Sequence, residues 1–260
     1  MEIARGTRVA VFGATSDIGA QFVAECAQRG ARLFVVGRNR DALERIADDA
    51  RVRGGGSAEM VTTEEFDFSC LSEIEGLGER AWMALGGIDV AAIFYGVLSP
   101  SPAERGLAPV ELEEQIRVNF TSPAALLSTI GARMAEAHQQ DGSVRGVLVA
   151  VTSVAGDRGR GSNYPYGSAK AGLSAYCSGL GQALAPRGVS VIDVRPGFVA
   201  TKMTRHLKIT PLFASPESIA RGMVQAIHRE TPVVYLPWFW RLIMGVIVRI
   251  PSRIFRKLSI

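Results

Sequence analysis

Short apolar, β-branched runs alternate along this chain with longer stretches of helical periodicity, and this alternation constrains the fold more than any single motif. Val9–Phe12, Arg32–Val36, Glu59–Phe66, Val90–Tyr95, Val147–Thr152, Ser190–Arg195 and Val233–Leu236 read as strands. Between them, residues 19–29, 40–53, 70–84, 109–137, 166–185 and 216–229 repeat apolar side chains at helical spacing. Parallel strands need a crossover between them, so the pattern predicts an α/β fold: a parallel sheet with helices on both faces. Gly86-Gly87 and Gly96–Gly106 are expected loops, and Asp141-Gly142-Ser143 a turn before the fifth strand. Ser215-Pro216-Glu217 is a helix start, with serine at the N-cap and proline at the first helical position. No repeat or linker interrupts the sequence, which predicts one domain over residues 1–236 and a C-terminal extension over 237–260.

The chain is 47% hydrophobic and 21% charged, the composition of a folded protein. Its net charge of +4 is unevenly placed. No acid follows Glu230, whereas Arg241, Arg249, Arg253, Arg256 and Lys257 do; without those five cations, residues 1–230 carry −1. The body therefore gives no support to nucleic-acid binding. Cys26, Cys70 and Cys177 are too few and scattered for a disulfide framework, and His138, His206 and His228 lack ligand spacing, so no metal site is expected. The first apolar run begins without the charged start and cleavage site of a signal peptide, which makes a cytoplasmic protein the expectation.

The first strand runs into Gly13-Ala14-Thr15-Ser16-Asp17-Ile18-Gly19 and then an apolar helix. Small residues let the backbone turn tightly and approach a pyrophosphate resting on free N–H groups at the helix start. Asp17 stands where a middle glycine is expected. A carboxylate there would repel a pyrophosphate, so its side chain is expected to turn back and cap the helix. The second strand ends at Gly37-Arg38-Asn39. No acid is present to bind a ribose 2′-hydroxyl, while Arg38 can hold a 2′-phosphate in a forked contact; NADP(H) is preferred over NAD(H). Asp67 is placed to accept from an adenine amino group, and Phe68 either flanks that ring or joins the core.

Tyr166 and Lys170 are four residues apart in a helical stretch and share one face. A phenol titrates near 10, and a neighbouring ammonium is expected to lower that value. The pair could then protonate a carbonyl oxygen or deprotonate an alcohol, with Lys170 also binding the nicotinamide ribose. Ser153 ends the fifth strand thirteen residues before Tyr166, where its hydroxyl could bond the substrate oxygen. Pro196-Gly197-Phe198-Val199-Ala200-Thr201 forms a rigid turn after the sixth strand, with Thr201 available to a nicotinamide carboxamide. Asn119 falls inside a helical stretch that it suits poorly, which suggests either a solvated position or a local kink with a water relaying protons to Lys170.

In order and spacing, Gly13–Gly19, Asn119, Ser153, Tyr166/Lys170 and Pro196-Gly197 resemble the short-chain dehydrogenase/reductase family over roughly residues 6–236. The resemblance implies a Rossmann-type, doubly wound sheet of about seven parallel strands and hydride transfer between NAD(P)H and a carbonyl or alcohol. It also implies a homodimer or homotetramer built on the helices near 109–137 and 166–185. One departure is plain: the family's Asn-Asn-Ala-Gly after the fourth strand is here Ile93-Phe94-Tyr95-Gly96, so its side-chain bonds between strands must be replaced. Asp17, Ser153–Arg158, Thr201–Lys208 and Arg249–Leu258 are similar to the decaprenylphosphoryl-2-keto-ribose reductases. That resemblance implies a lipid-linked keto-sugar substrate and a separate flavoprotein oxidase that makes the ketone.

From Trp238 to Ile250 the tail is apolar for thirteen residues, interrupted by Arg241, against roughly twenty needed to cross a bilayer. Aromatic residues beside cations suit a peripheral position on a membrane surface; a contact with a neighbouring subunit would bury the same face.

Overall fold

The computed structural model describes residues 1–56, 60–98, 106–142 and 145–258. Seven strands appear in chain order: β1 (Arg8–Phe12), β2 (Arg32–Gly37), β3 (Val61–Glu65), β4 (Val90–Ile93), β5 (Gly146–Val151), β6 (Val189–Pro196) and β7 (Val233–Leu236). They form one sheet in the order β3-β2-β1-β4-β5-β6-β7, with every neighbouring pair parallel. The helices are α1 (Asp17–Gln28), α2 (Arg40–Arg53), α3 (Ile74–Leu85), α4 (Pro109–Ile116), α5 (Ser122–Gln140), α6 (Tyr164–Leu184), α7 (Pro216–Arg229), α8 (Trp240–Ile247) and α9 (Ser252–Phe255). All seven expected strands are present. Glu59, Ser143 and residues 99–105 of the expected Gly96–Gly106 loop lie outside the described residues.

Alternation along each strand divides the core into two layers. Val9 and Val11 of β1 join Phe22 and Cys26 of α1, Leu43 of α2 and Met223 of α7 on one face. Ala10 and Phe12 join Leu77 of α3, Leu126 and Ile130 of α5 and Leu173 of α6 on the other. Each layer excludes water from one face of the sheet, so neither set of helices can be removed without exposing a continuous apolar surface.

The helical stretch expected over 109–137 is not continuous. It comprises α4, a π-helical turn at Arg117–Thr121, and α5. Pro123 lies in the first turn of α5. It has no N–H to give, and its ring crowds the carbonyl of Asn119, so the regular ladder is interrupted just before it. The irregularity at Asn119 is this π-helical turn, and Asn119 is buried within it rather than solvated. The strand order reverses between β1 and β4, which opens a crevice at the carboxyl ends of those strands.

Candidate active site

A cavity of about 520 Å³ lies in that crevice. It is lined by Gly13, Thr15, Ser16, Asp17, Ile18, Arg38, Asp67, Phe68, Gly96, Ser153, Tyr166, Lys170, Pro196, Gly197, Val199 and Thr201. Of the residues singled out in the sequence, Gly19, Asn39 and Asn119 are not on its wall. Gly19 packs behind the loop, where an added Cβ would meet the Gly13 carbonyl at 2.6 Å. Asn39 caps α2, accepting from the Ala42 N–H at 2.8 Å. Asn119, fully buried, braces the chain after β4: its Oδ1 accepts from the Val97 N–H at 3.0 Å, and its Nδ2 donates to the Val97 carbonyl at 2.8 Å and to Gln115 Oε1 at 3.0 Å.

At the glycine loop, Gly13 has φ +86°, and an added Cβ would stand 2.6 Å from the Tyr95 nitrogen. Only glycine fits. Ser16 is the N-cap of α1, its Oγ accepting from the Gly19 N–H at 3.0 Å. This corrects the expectation for Asp17. Its carboxylate does not cap α1; it accepts from the Lys202 N–H at 2.6 Å and faces the Lys202 ammonium at 3.5 Å. With the cap position already filled by Ser16, the carboxylate reaches instead to the loop after β6. Asp17 and Ile18, in the first turn of a twelve-residue helix, line the cavity where helix N–H groups favour an anion. This cradle fits the pyrophosphate of a dinucleotide.

Arg38 is exposed at the end of β2. The Asp67 carboxyl is held below its usual range by the Ser69 N–H at 3.0 Å, with the Arg38 and Arg117 charges adding to the effect. Phe68 is buried against Tyr95, with ring centroids 3.8 Å apart in a stacked pair, so it is both core and cavity wall.

Ser153, Tyr166 and Lys170 meet at the opposite end. Ser153 follows β5 and caps a short 3-10 turn, accepting from the Ala155 N–H at 3.0 Å. Tyr166 is in the first turn of α6, and Lys170 one turn later donates to the Val151 carbonyl at 2.9 Å. The Lys170 ammonium stands 5.8 Å from the Tyr166 ring centre. Two glycines allow this approach. A Cβ on Gly167 would meet the Ala155 carbonyl at 2.8 Å, and one on Gly156 the Ala171 nitrogen at 2.8 Å.

Burial dominates the electrostatics here, contrary to the expectation of a phenol lowered by its lysine. It pushes the Tyr166 hydroxyl up to about 12, against an opposing pull from the Ser153 hydroxyl. It pushes the Lys170 ammonium down to about 8, against the fields of Cys177 and Asp193. A low-dielectric site disfavours both charged forms, and it holds Tyr166 protonated at neutral pH.

The short chain dehydrogenase family matches residues 7–211. This chain belongs to the short-chain dehydrogenase family. It is 33% identical over 250 residues to an uncharacterized oxidoreductase of Mycobacterium tuberculosis, covering 96% of each chain. It is 28% identical over 198 residues to the 3-oxoacyl-[acyl-carrier-protein] reductase of Escherichia coli, covering 76% of this chain and 75% of that one. A short-chain dehydrogenase from Burkholderia cenocepacia, solved in complex with NADP, superposes with a TM-score of 0.81 at 19% identity, covering 100% of both chains.

As a short-chain dehydrogenase, the chain is an NAD(P)-dependent oxidoreductase, and its departure after β4 has a structural answer. Phe94 packs on Phe22 with ring centroids 5.3 Å apart, Tyr95 stacks on Phe68, and the Tyr95 hydroxyl bonds Ser122 Oγ at 2.9 Å. Aromatic packing and one buried hydrogen bond thus stand where the family places polar side chains.

Several residues near the site went unread in the sequence. Arg195 donates to Asp193 at 2.7 Å and Asp157 at 2.8 Å, and Tyr235 donates to Asp157 at 2.9 Å, tying β6, β7 and the Ser153 loop together. Arg158 donates to the carbonyls of Ile247, Val248 and Ile250 at 2.8, 3.0 and 2.6 Å, fastening the tail to the same loop. Arg160 and Asn163 line the cavity just before Tyr166. The available signal was charge and amide in a glycine-rich segment between two catalytic candidates.

Proposed function

We propose that this dehydrogenase works as an NADPH-dependent reductase of a ketone carried on an amphiphilic, lipid-like substrate, with the 2-keto group of a polyprenyl-phospho-pentose as its leading candidate. The observation that carries the reductase reading is the Ser153–Tyr166–Lys170 group, two half-buried hydroxyls beside a buried lysine, on the wall of a cavity that begins at a glycine-loop helix start. NADPH, when bound, supplies the hydride. The protein's own part is to hold the ketone oxygen between the Ser153 and Tyr166 hydroxyls. Tyr166 then donates its proton to the developing alkoxide, and Lys170 offsets the charge left on the phenolate. A phenol kept protonated by burial suits reduction. Arg38 favours the 2′-phosphate form of the cofactor, in keeping with the NADP held by the Burkholderia cenocepacia protein.

The substrate class is supported by Phe198, Met203 and Leu207 on the cavity wall and by the tail beside them. Trp240 of α8 packs edge-on against Phe198, with centroids 5.4 Å apart, and Met244 and Val154 complete that cluster. The opposite face of the tail is apolar as well: Trp238, Leu242 and Val246, spaced four apart, are 72%, 63% and 67% exposed. Arg241, Arg249, Arg253, Arg256 and Lys257 are exposed around them, with no acid after Glu230. We commit this face to an anionic lipid surface, since its charge complements one and an aromatic end suits the headgroup boundary. Among the described residues no helix is long and apolar enough to cross a membrane, so the contact would lie in the plane.

A second reading, reduction of a long-chain 3-oxoacyl thioester, is favoured by the similarity to the Escherichia coli reductase. NADPH oxidation with a polyprenyl-phospho-2-keto-pentose, a long-chain 3-oxoacyl thioester and a short soluble ketone separates the readings. Turnover of the soluble ketone alone would overturn both. For the tail, Leu242→Glu with Val246→Glu should abolish sedimentation with phosphatidylglycerol vesicles while soluble-ketone turnover persists. A shift from dimer to monomer with unchanged lipid binding would assign the face to a second copy instead.

A further inference from the structure

The wall that carries Tyr166 also carries two polar side chains without a task. Arg160 and Asn163 both line the cavity, six and three residues before Tyr166. The Nε of Arg160 and the Oδ1 of Asn163 are buried and have no hydrogen-bond partner among the described residues. Burial pushes the Arg160 guanidinium down from its usual value, with only the Asp157 charge acting the other way. Asp157 itself is engaged by Arg195 and Tyr235. Asn163 is the residue before α6, where an asparagine side chain ordinarily bonds a first-turn N–H; here it makes no such cap. Each unmet group costs free energy that a protein seldom leaves uncompensated, and a guanidinium facing a cavity is best compensated by an oxyanion.

We propose that Arg160 and Asn163 form a substrate subsite for an oxyanion with a neighbouring hydroxyl, such as a phosphate ester on a polyol. Arg160 binds the oxyanion through its planar fork, and the Asn163 amide accepts from the hydroxyl or, turned over, donates to the oxyanion. The start of α6 adds its positive end to the same region. The subsite lies on the loop joining Ser153 to Tyr166, so an anionic head held there sets the position of the ketone against both hydroxyls. Arg38, the candidate for the cofactor's 2′-phosphate, stands at the end of β2 and belongs to the other end of the site. The proposal rests on the reductase reading only in calling the ligand a substrate.

Calorimetric titration of methyl phosphate into protein saturated with NADP⁺ tests it, because the cofactor then fills its own phosphate sites. The wild type should bind. Arg160→Gln should bind about tenfold more weakly, as expected for a lost charge-assisted hydrogen bond, and Arg160→Lys should recover part of the loss. In turnover, Arg160→Gln should raise KM for dihydroxyacetone phosphate while leaving KM for dihydroxyacetone unchanged. Equal methyl phosphate binding by wild type and Arg160→Gln would overturn the subsite, as would equal losses on the charged and neutral ketones. Circular dichroism and NADPH affinity show whether Arg160→Gln is folded, and Arg160→Lys carries the comparison where it is not. Phosphate binding through Arg160 with no turnover of any ketone would keep the subsite and sink the reductase reading.

Discussion

The carboxylate of Asp17, in the first turn of the helix that begins at the glycine loop, accepts a hydrogen bond from the backbone N–H of Lys202 at 2.6 Å, across 185 residues of chain. This contact ties one wall of the cavity to the segment that follows Val199 and Thr201 on the other. Asp17→Ala should free residues 201–207, raising their hydrogen-exchange rate and raising KM for NADPH about tenfold, as the loss of one charge-assisted bond allows. Asp17→Asn keeps an acceptor and should behave nearly as wild type. Unchanged exchange in Asp17→Ala would show that the loop is held by other contacts.

Tyr166→Phe removes the hydroxyl proposed as proton donor and little else. Ketone reduction should fall by about 10²–10⁴-fold, the usual share of general acid catalysis, while NADPH binding measured by fluorescence stays the same. An active Tyr166→Phe variant would return the acid's role to Ser153 or water.

The two buried titrating groups give the site a pH dependence of predictable sign. The Tyr166 hydroxyl, pushed up to about 12, stays protonated across the neutral range. The Lys170 ammonium, pushed down to about 8, is still mostly charged at pH 7 and loses its proton as pH rises through about 8. For ketone reduction, kcat/KM should therefore decline as pH rises through about 8. Stability moves the opposite way. A lysine whose folded value is depressed binds fewer protons folded than unfolded between about 8 and its ordinary 10.5, so stability rises with pH through that window. Urea denaturation at successive pH values should show the rise in wild type and its absence in Lys170→Met.

Arg38→Gln separates the two cofactors. Loss of the forked contact should raise KM for NADPH about tenfold or more and leave KM for NADH nearly unchanged. Equal effects on both would mean that Arg38 does not meet a 2′-phosphate.

Arg158 joins the tail to the Ser153 loop through three carbonyls at the end of α8, and its guanidinium lies 3.9 Å from the Phe255 ring centre. A cation at a helix C-terminus meets the negative end of the dipole. Arg158→Ala should destabilise the protein by about 1–3 kcal/mol and expose residues 248–258 to limited proteolysis. A tail that stays protected would mean that Trp240 and Met244 alone hold it.

The alternation of strand and helix was legible because the central strands are short, near-continuous apolar runs while each helix repeats apolar residues with a longer period, and both patterns are local. Helix boundaries were less so. The stretch 109–137 reads as one helix, yet Pro123 interrupts it through a clash with a carbonyl four residues earlier. Within the site, Tyr166 and Lys170 were readable as a pair because four-residue spacing on a helix guarantees a shared face. The direction in which their protons are tuned was not, since it depends on how much water the surrounding layers exclude. Asp17 was misread for a related reason: a cap is a local possibility, whereas Lys202 becomes its partner only after β6 has been laid beside β5.

By itself the sequence determined the α/β alternation, the glycine-bearing turn between the first strand and its helix, and the Tyr166–Lys170 spacing, all consequences of backbone sterics and short-range periodicity. Tertiary structure alone decided that Phe94 and Tyr95 replace polar bonds with ring packing, that Arg158 fastens the tail beside the cavity, and that the Arg160 Nε and the Asn163 Oδ1, on two residues of the cavity wall, are buried without a hydrogen-bond partner among the described residues. Those outcomes depend on burial and on contacts between segments far apart in the chain, and both arise only when distant elements close around a common core.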